Sequence, residues 1–448
     1  MNEELLKLVN AEYFDAATIK SVLPFMNTID IADIFDEVGR DKEKIIRLYR
    51  ILPKNIAAEV FAEIDSEHQE SIVGALSDFE VGDMVNRLFV DDAVDFIEEM
   101  PATVVNRVLR TVSREKRKVI NQLLQYPDDS AGSIMTTEYI ALRENATVQE
   151  AFDLIRATGL DKETIYTCYV IRQDRYLLGA VSAKTLMLSA LQDGIANIMD
   201  IHPVSVKTFD DQEEAAALFK KYGLLALPVV DRDERLVGII TVDDIVDVIE
   251  EETTEDMEKM SALAPSDDPY LKTGIVKLAR NRIVWLLVLM LSAAITGGII
   301  AGFEDALAAL PILVAFIPML MDTGGNAGSQ SSTLIIRGMA LEEIHFRDIF
   351  RVIWREIRVG ALCGIGLGLV NFVRIYMMNG RNIVLAFTVT VSLFATVMMA
   401  KTIGCVLPML AKKLRVDPAI MAAPLITTIV DAASLFIYFS AAKYIFHI

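Results

Sequence analysis

The stretch AIMAAPLITTIVDAASLFIYFSAAKYIF, from Ala419 to Phe446, decides the fold of the C-terminal part of the chain. It is long and apolar enough to cross a bilayer as one helix, because a crossing needs about 20 such residues. A single carboxylate, Asp431, lies near its middle. A charge at that depth costs about 2.5–3.5 kcal/mol and marks an ion pathway or an ionic contact that pins two helices together. We favour the pathway, because polar side chains share the face of Asp431 at helical spacing: Thr427, Ser434 and Tyr438.

A chain of 448 residues is too long for a single hydrophobic core. The distribution of charge divides it into two parts. Residues up to Arg282 include 53 acids and 31 bases, whereas the remainder includes 9 acids and 12 bases. The first part therefore has a net charge of −22 and the second of +3. An acidic surface attracts cations and cannot neutralise phosphates, so we expect no nucleic-acid partner.

The C-terminal part, 283–448, is predicted to be a transmembrane domain with five helices in the lipid bilayer. The predicted spans are Ile283–Phe303, Ala306–Ile336, Ile353–Met377, Ile383–Leu410 and Ala419–Phe446. Arginine and lysine concentrate in the second-to-third and fourth-to-fifth connections. The positive-inside rule therefore predicts a multi-pass protein of the cell membrane, with a cytoplasmic N-terminal half and the C-terminus outside.

The second span ends in a polar run, DTGGNAGSQSST, from Asp322 to Thr333. Unpaired polar groups at membrane depth are tolerated only when they are buried in protein or in contact with water. The run is therefore a continuation of the helix at the inner face, a stretch that lines water, or a loop among the headgroups. Elsewhere, small residues at four-residue spacing predict helix packing: Gly298 and Gly302, and Gly360, Gly364 and Gly368.

The first section of the acidic part, residues 1–127, is predicted to form short helices, because its apolar residues recur three and four positions apart. The segments that begin at Leu52 and Met100 are similar, which predicts a small all-α superhelical domain. Within it, Asp91 and Asp95 lie one helical turn apart, on an ordinary solvated face or at a cation site. The four histidines, His68, His202, His345 and His447, are far apart and predict no zinc site.

Residues 128–248 contain two related modules. Met135 aligns with Met199 and Gly179 with Gly238, and each module ends as strand, turn, strand, helix. This pattern resembles a tandem pair of CBS domains, an α/β fold that often binds adenine nucleotides. The motif that contacts the ribose in that family is matched only in the second module, by Thr241 and Asp244. Because Thr185 replaces the aspartate in the first, ATP binding is doubtful and the nucleotide-binding residues are unknown.

An acidic connecting segment, 249–282, follows the modules. The residues Asp243 to Glu258 include nine acids and no base. Such a run is either a solvated linker or a site for hard cations such as Mg²⁺. Tyr270 to Arg282 is predicted to form an amphipathic basic helix that leads into the bilayer.

The order of these parts resembles the MgtE family of magnesium channels. The resemblance rests on DTGGNAGSQSSTLIIR (Asp322–Arg337), RVDPAI (Arg415–Ile420) and PLITTIVDAASLFIY (Pro424–Tyr438). It implies a homodimer whose pore lies on the two-fold axis, with Asp431 as the pore metal ligand. The implied pore-lining residues are Asn326, Gln330, Thr427, Thr428 and Ser434. Ala423 and Thr427 depart from the family pattern, which leaves the selectivity order among divalent ions open.

The resemblance also implies that Mg²⁺ is both substrate and gating ligand. Cytosolic Mg²⁺ would bind acidic residues of the N domain, the CBS pair and the connecting, or plug, helix, and would close the pore. The implied regulatory residues are Asp91, Asp95, Glu214, Asp244, Asp247, Glu252, Glu255, Asp256 and Asp417.

We therefore predict a Mg²⁺-selective channel that takes up magnesium down its electrochemical gradient. One alternative is a broader divalent cation transporter for Co²⁺, Ni²⁺ and Mn²⁺. Another is a membrane-anchored sensor in which the CBS pair signals and the helices are only anchors. We expect no enzyme, because the chain contains no P-loop, HExxH motif or nucleophile elbow.

Overall fold

The computed structural model describes residues 16–39, 41–266, 270–271, 273–421 and 423–447. The chain forms two compact units, one up to Ile249 and the other from Glu250. The predicted fold class is confirmed: a helical N domain, an α/β module pair and a C-terminal bundle of long apolar helices. The first fifteen residues of the predicted N domain, and Pro269 in the connecting segment, lie outside the described residues.

The N domain is a stack of short helices. Polar N-caps separate several of them; for example, the side chains of Asp41, Ser77 and Ser113 accept hydrogen bonds from backbone amides of the following first turn. Most of these helices pack against the helix two places further on, as in a superhelical stack. The described helices are α1 (Ala16–Val22), α2 (Thr28–Val38), α3 (Lys42–Ile51), α4 (Lys54–Glu63), α5 (Ser66–Ala75), α6 (Asp78–Arg87), α7 (Val90–Glu98), α8 (Ala102–Thr111) and α9 (Arg114–Leu123).

Each CBS module contains a three-stranded sheet with one parallel and one antiparallel pair. The first module consists of β1 (Ala141–Arg143), α10 (Val148–Thr158), β2 (Thr167–Ile171), β3 (Leu177–Ser182) and α11 (Ala183–Leu188). After α12 (Ile195–Ile198), the second consists of β4 (Val206–Lys207), α13 (Gln212–Tyr222), β5 (Ala226–Val230), β6 (Leu236–Thr241) and α14 (Val242–Met260).

The aligned glycines have equivalent places in the two sheets. Gly179 pairs with Val170 and Gly238 with Val229, and in both sheets the register shifts directly after that pair. A side chain at Gly238 would collide with the sulfur of Met135, and one at Gly179 would lie 3.1 Å from the sulfur of Met199. The segment that precedes each module therefore packs on the sheet of the other. One continuous hydrophobic core also joins the second module to the N domain.

The second unit contains long helices. They are α15 (Ile275–Gly302), the short α16 (Glu304–Ala309), α17 (Ile317–Ala340), α18 (Ile349–Met378), α19 (Ile383–Lys413) and α20 (Ala423–Phe446). Within the described part, four segments are long and apolar enough to cross a membrane, and they correspond to predicted spans one, three, four and five.

Two predicted segments differ from the structure. The basic stretch before the first span is not a helix of its own: α15 begins at Ile275 and continues without a break, because no helix-breaking residue separates the two. The second span is divided into α16, a 3₁₀ turn from Pro311 to Phe316, and α17. Pro311 and Pro318 each stand in the first turn of a new helical segment, because proline cannot donate within a helix. The polar run is helical and belongs to α17.

Glycines bring the helices of this unit together. Gly360, Gly364 and Gly368 pack on α19 as predicted, with Phe394 against Gly364. A methyl group added at Gly298 or Gly302 would have no atom within 4 Å, so the packing predicted for these two glycines is wrong within the described chain. Gly328 and Gly404 meet backbone to backbone, at the contact of α17 with α19.

Candidate functional site

Helices α17 and α20 approach each other through glycine. A methyl group at Gly324 would lie 2.9 Å from Ser434 Oγ, and one at Gly325 would lie 2.9 Å from Thr427 Cγ2. Real side chains do not come that close, so only glycine permits this spacing. The contact fixes the position of Asp431 relative to the polar run of α17.

One face of α17 is polar and open in the single chain. Asp322, Asn326 and Gln330 follow one another at four-residue spacing, and all three are exposed. Asp431 on α20 is half-buried, and Asp322 is the charged group that acts on it electrostatically. In the described ion pairs of this unit neither acid has a cationic partner. Two acids without a base in an apolar unit are a place where a cation is stabilised.

The structure separates the hydroxyl groups predicted on the face of Asp431. Thr427 and Thr428 are half-buried, and both hydroxyls donate to the carbonyl of Pro424, at 2.9 and 3.0 Å. Ser434 is fully buried and donates to the carbonyl of Val430 at 2.6 Å. It lies in the α17–α20 contact and not on the open polar face. Tyr438 is also buried, and its hydroxyl donates to the carbonyl of Leu313.

This unit also contains an ionic contact that was not predicted from the sequence. Glu356 on α18 accepts a hydrogen bond of 2.6 Å from Ser331 Oγ, and Lys401 Nζ on α19 donates to the same Ser331 Oγ at 3.3 Å. Lys401 Nζ lies 4.0 Å from the Glu356 carboxylate; the Lys401 side chain is buried and only 13% of the Glu356 side chain is exposed. The three residues form a buried ionic contact between α17, α18 and α19.

The first unit contains a cluster of carboxylates around α7, which we call the α7 cluster. Carboxylate oxygens of Asp91, Glu138 and Glu163 all lie within 4.8 Å of one another. Asp91 is buried, so it does not belong to an ordinary solvated face. The cluster also includes Asp92, Asp95 and Asp244, which interact electrostatically with its other members.

Burial and mutual repulsion raise the pKa values throughout the α7 cluster. Burial, then Asp92 and Glu163, raise the pKa of Asp91 well above its usual range. Burial and the charge of Asp244 raise the pKa of Asp92 to about 6. Desolvation by surrounding atoms, with repulsion from Asp92, raises the pKa of Asp95 to about 7, although part of its side chain remains exposed.

The same causes act on the members from the CBS pair. Burial and the charge of Asp92 raise the pKa of Glu163 to about 8. Burial raises the pKa of Asp244 to about 6, against hydrogen bonds from Thr241 that lower it. Shifts of this kind mean that the folded unit holds the charged carboxylates at a cost.

Lys116 faces this cluster. Its Nζ donates to the carbonyl of Leu88, and burial lowers its pKa against the charges of Glu138 and Asp91. Lys162 also acts electrostatically on Glu138. Two ammonium groups are too little positive charge for six carboxylates. A divalent cation with oxygen ligands would supply the remainder.

The predicted regulatory residues in the first unit are only partly brought together. Asp91, Asp95 and Asp244 belong to the α7 cluster, and Asp247 acts on the neighbouring Glu63. Glu214 is exposed and lies instead beside Asp210 and Asp211. The cluster members outside the predicted regulatory set are Asp92, Glu138 and Glu163. Only Asp92 is next to a predicted residue in the sequence, so no regular spacing indicated the others.

In the second unit, the predicted residues Glu255, Asp256 and Asp417 surround a lysine. Lys259 Nζ lies 2.6 Å from Glu255 and 2.8 Å from Asp417. Against the lowering effect of burial, the hydrogen bonds that Lys259 donates to these two carboxylates hold its pKa above the usual value. Burial and the charge of Asp417 raise the pKa of Asp256. Glu252 lies one turn earlier on α14 and is half-buried.

The motif considered for nucleotide binding has a local structural role. Thr241 Oγ1 donates to the Asp244 carboxylate at 2.5 Å, and the Thr241 amide donates to the same oxygen at 3.3 Å. Asp244 thus closes the first turn of α14. In the first module the Thr185 amide donates to Ser182 Oγ, so threonine takes the equivalent place without a carboxylate.

Comparison with protein families accounts for most of the chain. Residues 317–441 match the MgtE family, described as divalent cation transporters, and residues 26–129 match the MgtE intracellular N domain. Residues 131–191 and 195–251 match the CBS domain.

Similar proteins have the same order of parts. The magnesium transporter MgtE of Thermus thermophilus is 36% identical over 96% of this chain and 95% of its own length. The magnesium transporter MgtE of Bacillus subtilis is 34% identical over 96% of this chain and 94% of its own. A crystal structure of the cytosolic domain of the Mg²⁺ channel MgtE in complex with ATP has a TM-score of 0.52 and 32% identity, over 55% of this chain and all of that one. Transporters are not enzymes, as the sequence predicted, and the chain belongs to the MgtE family of divalent cation transporters.

Proposed function

We propose that this protein is a Mg²⁺ channel whose ion pathway passes Asp431. The observation that carries the proposal is the pair of unneutralised acids, Asp322 and Asp431, beside the open polar face of α17. Family membership supports Mg²⁺ as the transported ion, since two relatives over nearly the whole chain are magnesium transporters. Mg²⁺ sheds water reluctantly and is usually held by one or two carboxylates with several waters retained.

We also propose that two copies of the chain form the pathway. The polar face with Asn326 and Gln330 is exposed in the single chain, and exposed polar groups at membrane depth need water or another protein surface. A two-fold axis along this face would bring two copies of Asp431 together. The first unit would then be cytoplasmic and the C-terminus outside, in agreement with the distribution of basic residues in the connections.

The test is Mg²⁺ uptake into proteoliposomes by the Asp431→Asn variant. Its matched control is Asp305→Asn, which removes an exposed acid of the same unit at the start of α16. Uptake should fall to the background of empty liposomes in the first variant and remain normal in the control. Near-normal uptake by Asp431→Asn would refute the pathway. A membrane-anchored CBS sensor, whose helices are only anchors, would instead give no uptake above empty liposomes even in the wild type.

We infer that the acidic clusters sense Mg²⁺. Repulsion in the α7 cluster opposes the packing of the N domain on the CBS pair, and bound divalent ions would remove that repulsion. To act as a switch, Mg²⁺ must bind the compact closed state more tightly, and a shift from 1:99 to 99:1 needs about 5.5 kcal/mol. The division of labour that we propose follows the predicted parts: 1–127 and 128–248 sense, 249–282 connects, and 283–448 conducts.

Patch-clamp recording at varied cytosolic Mg²⁺ tests the sensing role. The combined variant Asp91→Asn, Asp95→Asn and Asp244→Asn should conduct at Mg²⁺ concentrations that close the wild-type channel. Inhibition equal to that of the wild type would reject these residues as the sensor and leave the pathway untouched. Our proposal assigns no role to ATP, because Asp244 closes the first turn of α14 and Thr185 stands in the other module.

A broader divalent cation transporter is the second candidate, which the description of the matched family favours. The side chains of the open polar face offer only carboxylate and amide oxygens as metal ligands. Such a site does not strongly select Mg²⁺ over Mn²⁺. Uptake assays with Co²⁺, Ni²⁺ or Mn²⁺ in place of Mg²⁺ separate the two. Transport of these ions at rates close to that of Mg²⁺ would support the broader function.

A further inference from the structure

Helix α7 of the N domain begins after Phe89, whose apolar side chain cannot accept a hydrogen bond. Helices α3 and α6, in contrast, begin after Asp41 and Ser77, whose side chains cap the first turn. At α7 a carboxylate of the CBS pair takes this role. The Val90 amide, the first of the helix, donates to Glu138 Oε2 at 2.8 Å. Glu138 thus caps α7 across the joint between the N domain and the CBS pair.

The segment that contains Glu138 is fixed to the second CBS module. Thr136, two residues earlier, exchanges two backbone hydrogen bonds with Ile239 of β6, at 2.8 and 2.9 Å. The buried Thr136 hydroxyl donates to Glu138 Oε2 at 3.4 Å and accepts from the Glu138 amide, also at 3.4 Å. The Glu138 carbonyl accepts from the Glu163 amide at 2.9 Å. The cap therefore connects the start of α7 to a strand of the CBS pair through a short series of hydrogen bonds.

The same carboxylate opposes the acidic side chains of α7. Its oxygens lie within 4.8 Å of carboxylate oxygens of Asp91 and Glu163. Burial raises the pKa of Glu138, against the hydrogen bond from Val90 and the charges of nearby lysines, which lower it. An anion at a helix N-terminus is favourable, because the aligned peptide dipoles place partial positive charge there. Glu138 therefore attracts the backbone of α7 and repels its acids.

We propose that Glu138 is a positioning residue of the cation sensor, whose cap on Val90 holds the acids of α7 opposite those of the CBS pair. This inference rests on the sensing role proposed above for the α7 cluster. The amide contact needs no ion, whereas a bound cation would remove the repulsion between the carboxylates. A cation that enters the cluster would thus meet ligands that are already in place, and the N domain would close on the CBS pair in one orientation.

Two substitutions separate the cap from the charge. Glu138→Gln keeps an oxygen that can accept from the Val90 amide but removes the negative charge, and Glu138→Ala removes both. Because the two variants lack the charge equally, a difference between them reports the cap. The matched control is Glu150→Ala. Glu150 Oε2 accepts from the Thr147 amide at 2.8 Å within the first turn of α10, so the control loses a contact of the same kind inside one helix.

Hydrogen exchange of the full-length protein in detergent, without divalent ions, measures the cap itself. Loss of an N-cap contact typically weakens a helix about fivefold. The amides of α7 should therefore be about fivefold less protected in Glu138→Ala than in Glu138→Gln. Glu150→Ala should leave α7 at the wild-type level. Equal protection of α7 in the alanine and glutamine variants would overturn the proposal.

Patch-clamp recording at varied cytosolic Mg²⁺ measures the consequence for sensing, which a purely structural cap would not change. Half-closure should need about fivefold more Mg²⁺ in Glu138→Ala than in Glu138→Gln, because α7 must return to its position before the ions bind. Equal Mg²⁺ sensitivity of the two variants, with normal closure of the wild type, would reject the positioning role alone. A wild type that Mg²⁺ does not close would reject the sensing role proposed above, and this inference with it.

Glu138→Asp keeps the comparison possible if the alanine variant does not fold. It retains the charge but shortens the side chain by one methylene, so the contact with Val90 is weakened while the repulsion remains. Both the protection of α7 and the sensitivity of closure to Mg²⁺ should fall below those of the wild type. Wild-type behaviour of Glu138→Asp in both measurements would mean that only the charge of Glu138 matters, and the proposal would be wrong.

Discussion

Glu356 and Asp431 are both acidic residues on long helices of the second unit, but their surroundings differ. Glu356 on α18 is largely buried, accepts a hydrogen bond from Ser331 and lies near the ammonium of Lys401. Asp431 on α20 is half-buried, and the charged group that acts on it is another acid, Asp322. The chain supplies a cation for the first carboxylate, whereas the described ion pairs of the second unit include none for the second.

The difference separates the two interpretations that the sequence left open for a charge in a span. An acid that pins helices together needs a cation of its own chain, and Glu356 has one. Asp431 lacks such a partner among the described ion pairs of its unit. The comparison therefore predicts that a change at the Glu356 contact reduces stability, whereas a change at Asp431 affects transport.

The largest effect on stability should come from Lys401→Met. Removing one partner of a buried ion pair costs about 3–5 kcal/mol, because the remaining charge stays buried without compensation. Thermal unfolding in detergent measures the loss. Asp431→Asn is the control and should unfold close to the wild-type temperature. Adding Glu356→Gln to Lys401→Met should restore part of the stability, and a double variant as unstable as the single one would contradict the pairing.

A change of pH extends the comparison to the α7 cluster, whose acids also lack sufficient cations. Their folded pKa values are raised, to about 7 for Asp95 and about 8 for Glu163, so the folded state favours the protonated forms. Stability from this source is present at low pH and is lost as pH rises through the folded values. Asp95 is exposed, so solvent screening reduces its contribution. Between pH 5 and pH 8 without Mg²⁺, the opening free energy of α7 that hydrogen exchange measures should therefore fall by about 2–3 kcal/mol, well below the sum of the two shifts.

Saturating Mg²⁺ at pH 8 should restore that protection, because the ion replaces the lost protons. Hydrogen exchange at the start of α6 provides an internal reference, since Ser77 closes that helix end with its own capping box. If the protection of α7 did not change with pH in the absence of Mg²⁺, the raised pKa values of the α7 cluster would be refuted.

Ser331→Ala should have a smaller effect. The hydroxyl donates to Glu356 and accepts from Lys401, so its loss removes hydrogen bonds to charged groups and should cost about 1–2 kcal/mol. Ser329→Ala is the matched control, because Ser329 Oγ donates only to the backbone carbonyl of Gly325 one turn earlier. Equal unfolding temperatures for the two variants would mean that Ser331 does not contribute to the ionic contact.

The smallest effect is expected at Lys259, which lies between Glu255 and Asp417. These side chains are partly exposed, so the ion pairs contribute only about 0.5–1 kcal/mol. Because the ammonium competes with a metal ion for the two carboxylates, Lys259→Gln should strengthen Mg²⁺ binding about two- to fivefold in calorimetric titrations. Lys412→Gln is the control, since Lys412 Nζ donates to the backbone carbonyl of Met339. Weaker Mg²⁺ binding in Lys259→Gln would contradict the competition.

Periodicity predicted the fold because helices and paired modules leave regular patterns in one sequence. The aligned glycines Gly179 and Gly238 are an example, since the same sheet position demands the same residue in both modules. The break in the second span was not predicted, because apolar composition continues through Pro311 and only backbone hydrogen bonding ends the helix there.

The sites were less visible in the sequence. Asp91 and Asp95 are one helical turn apart and could be found by spacing, but Glu138 and Glu163 join them only after the N domain packs on the CBS pair. Lys401 was overlooked because a single lysine hardly lowers the apolar average of a long span. Its partner Glu356 stands among arginines that were assigned to a connection. Tertiary contacts of this kind have no period, so no local pattern reports them.

The backbone contact between Gly328 and Gly404 restricts which residues this chain can have at the two positions. Where two helices touch through side chains, evolution can trim or enlarge those side chains and adjust the spacing in small steps. Here there is nothing to trim, and any substitution adds atoms and forces the helices apart. The separation of α17 from α19 is thus already at its minimum, and no substitution at Gly328 or Gly404 can bring the two helices closer together.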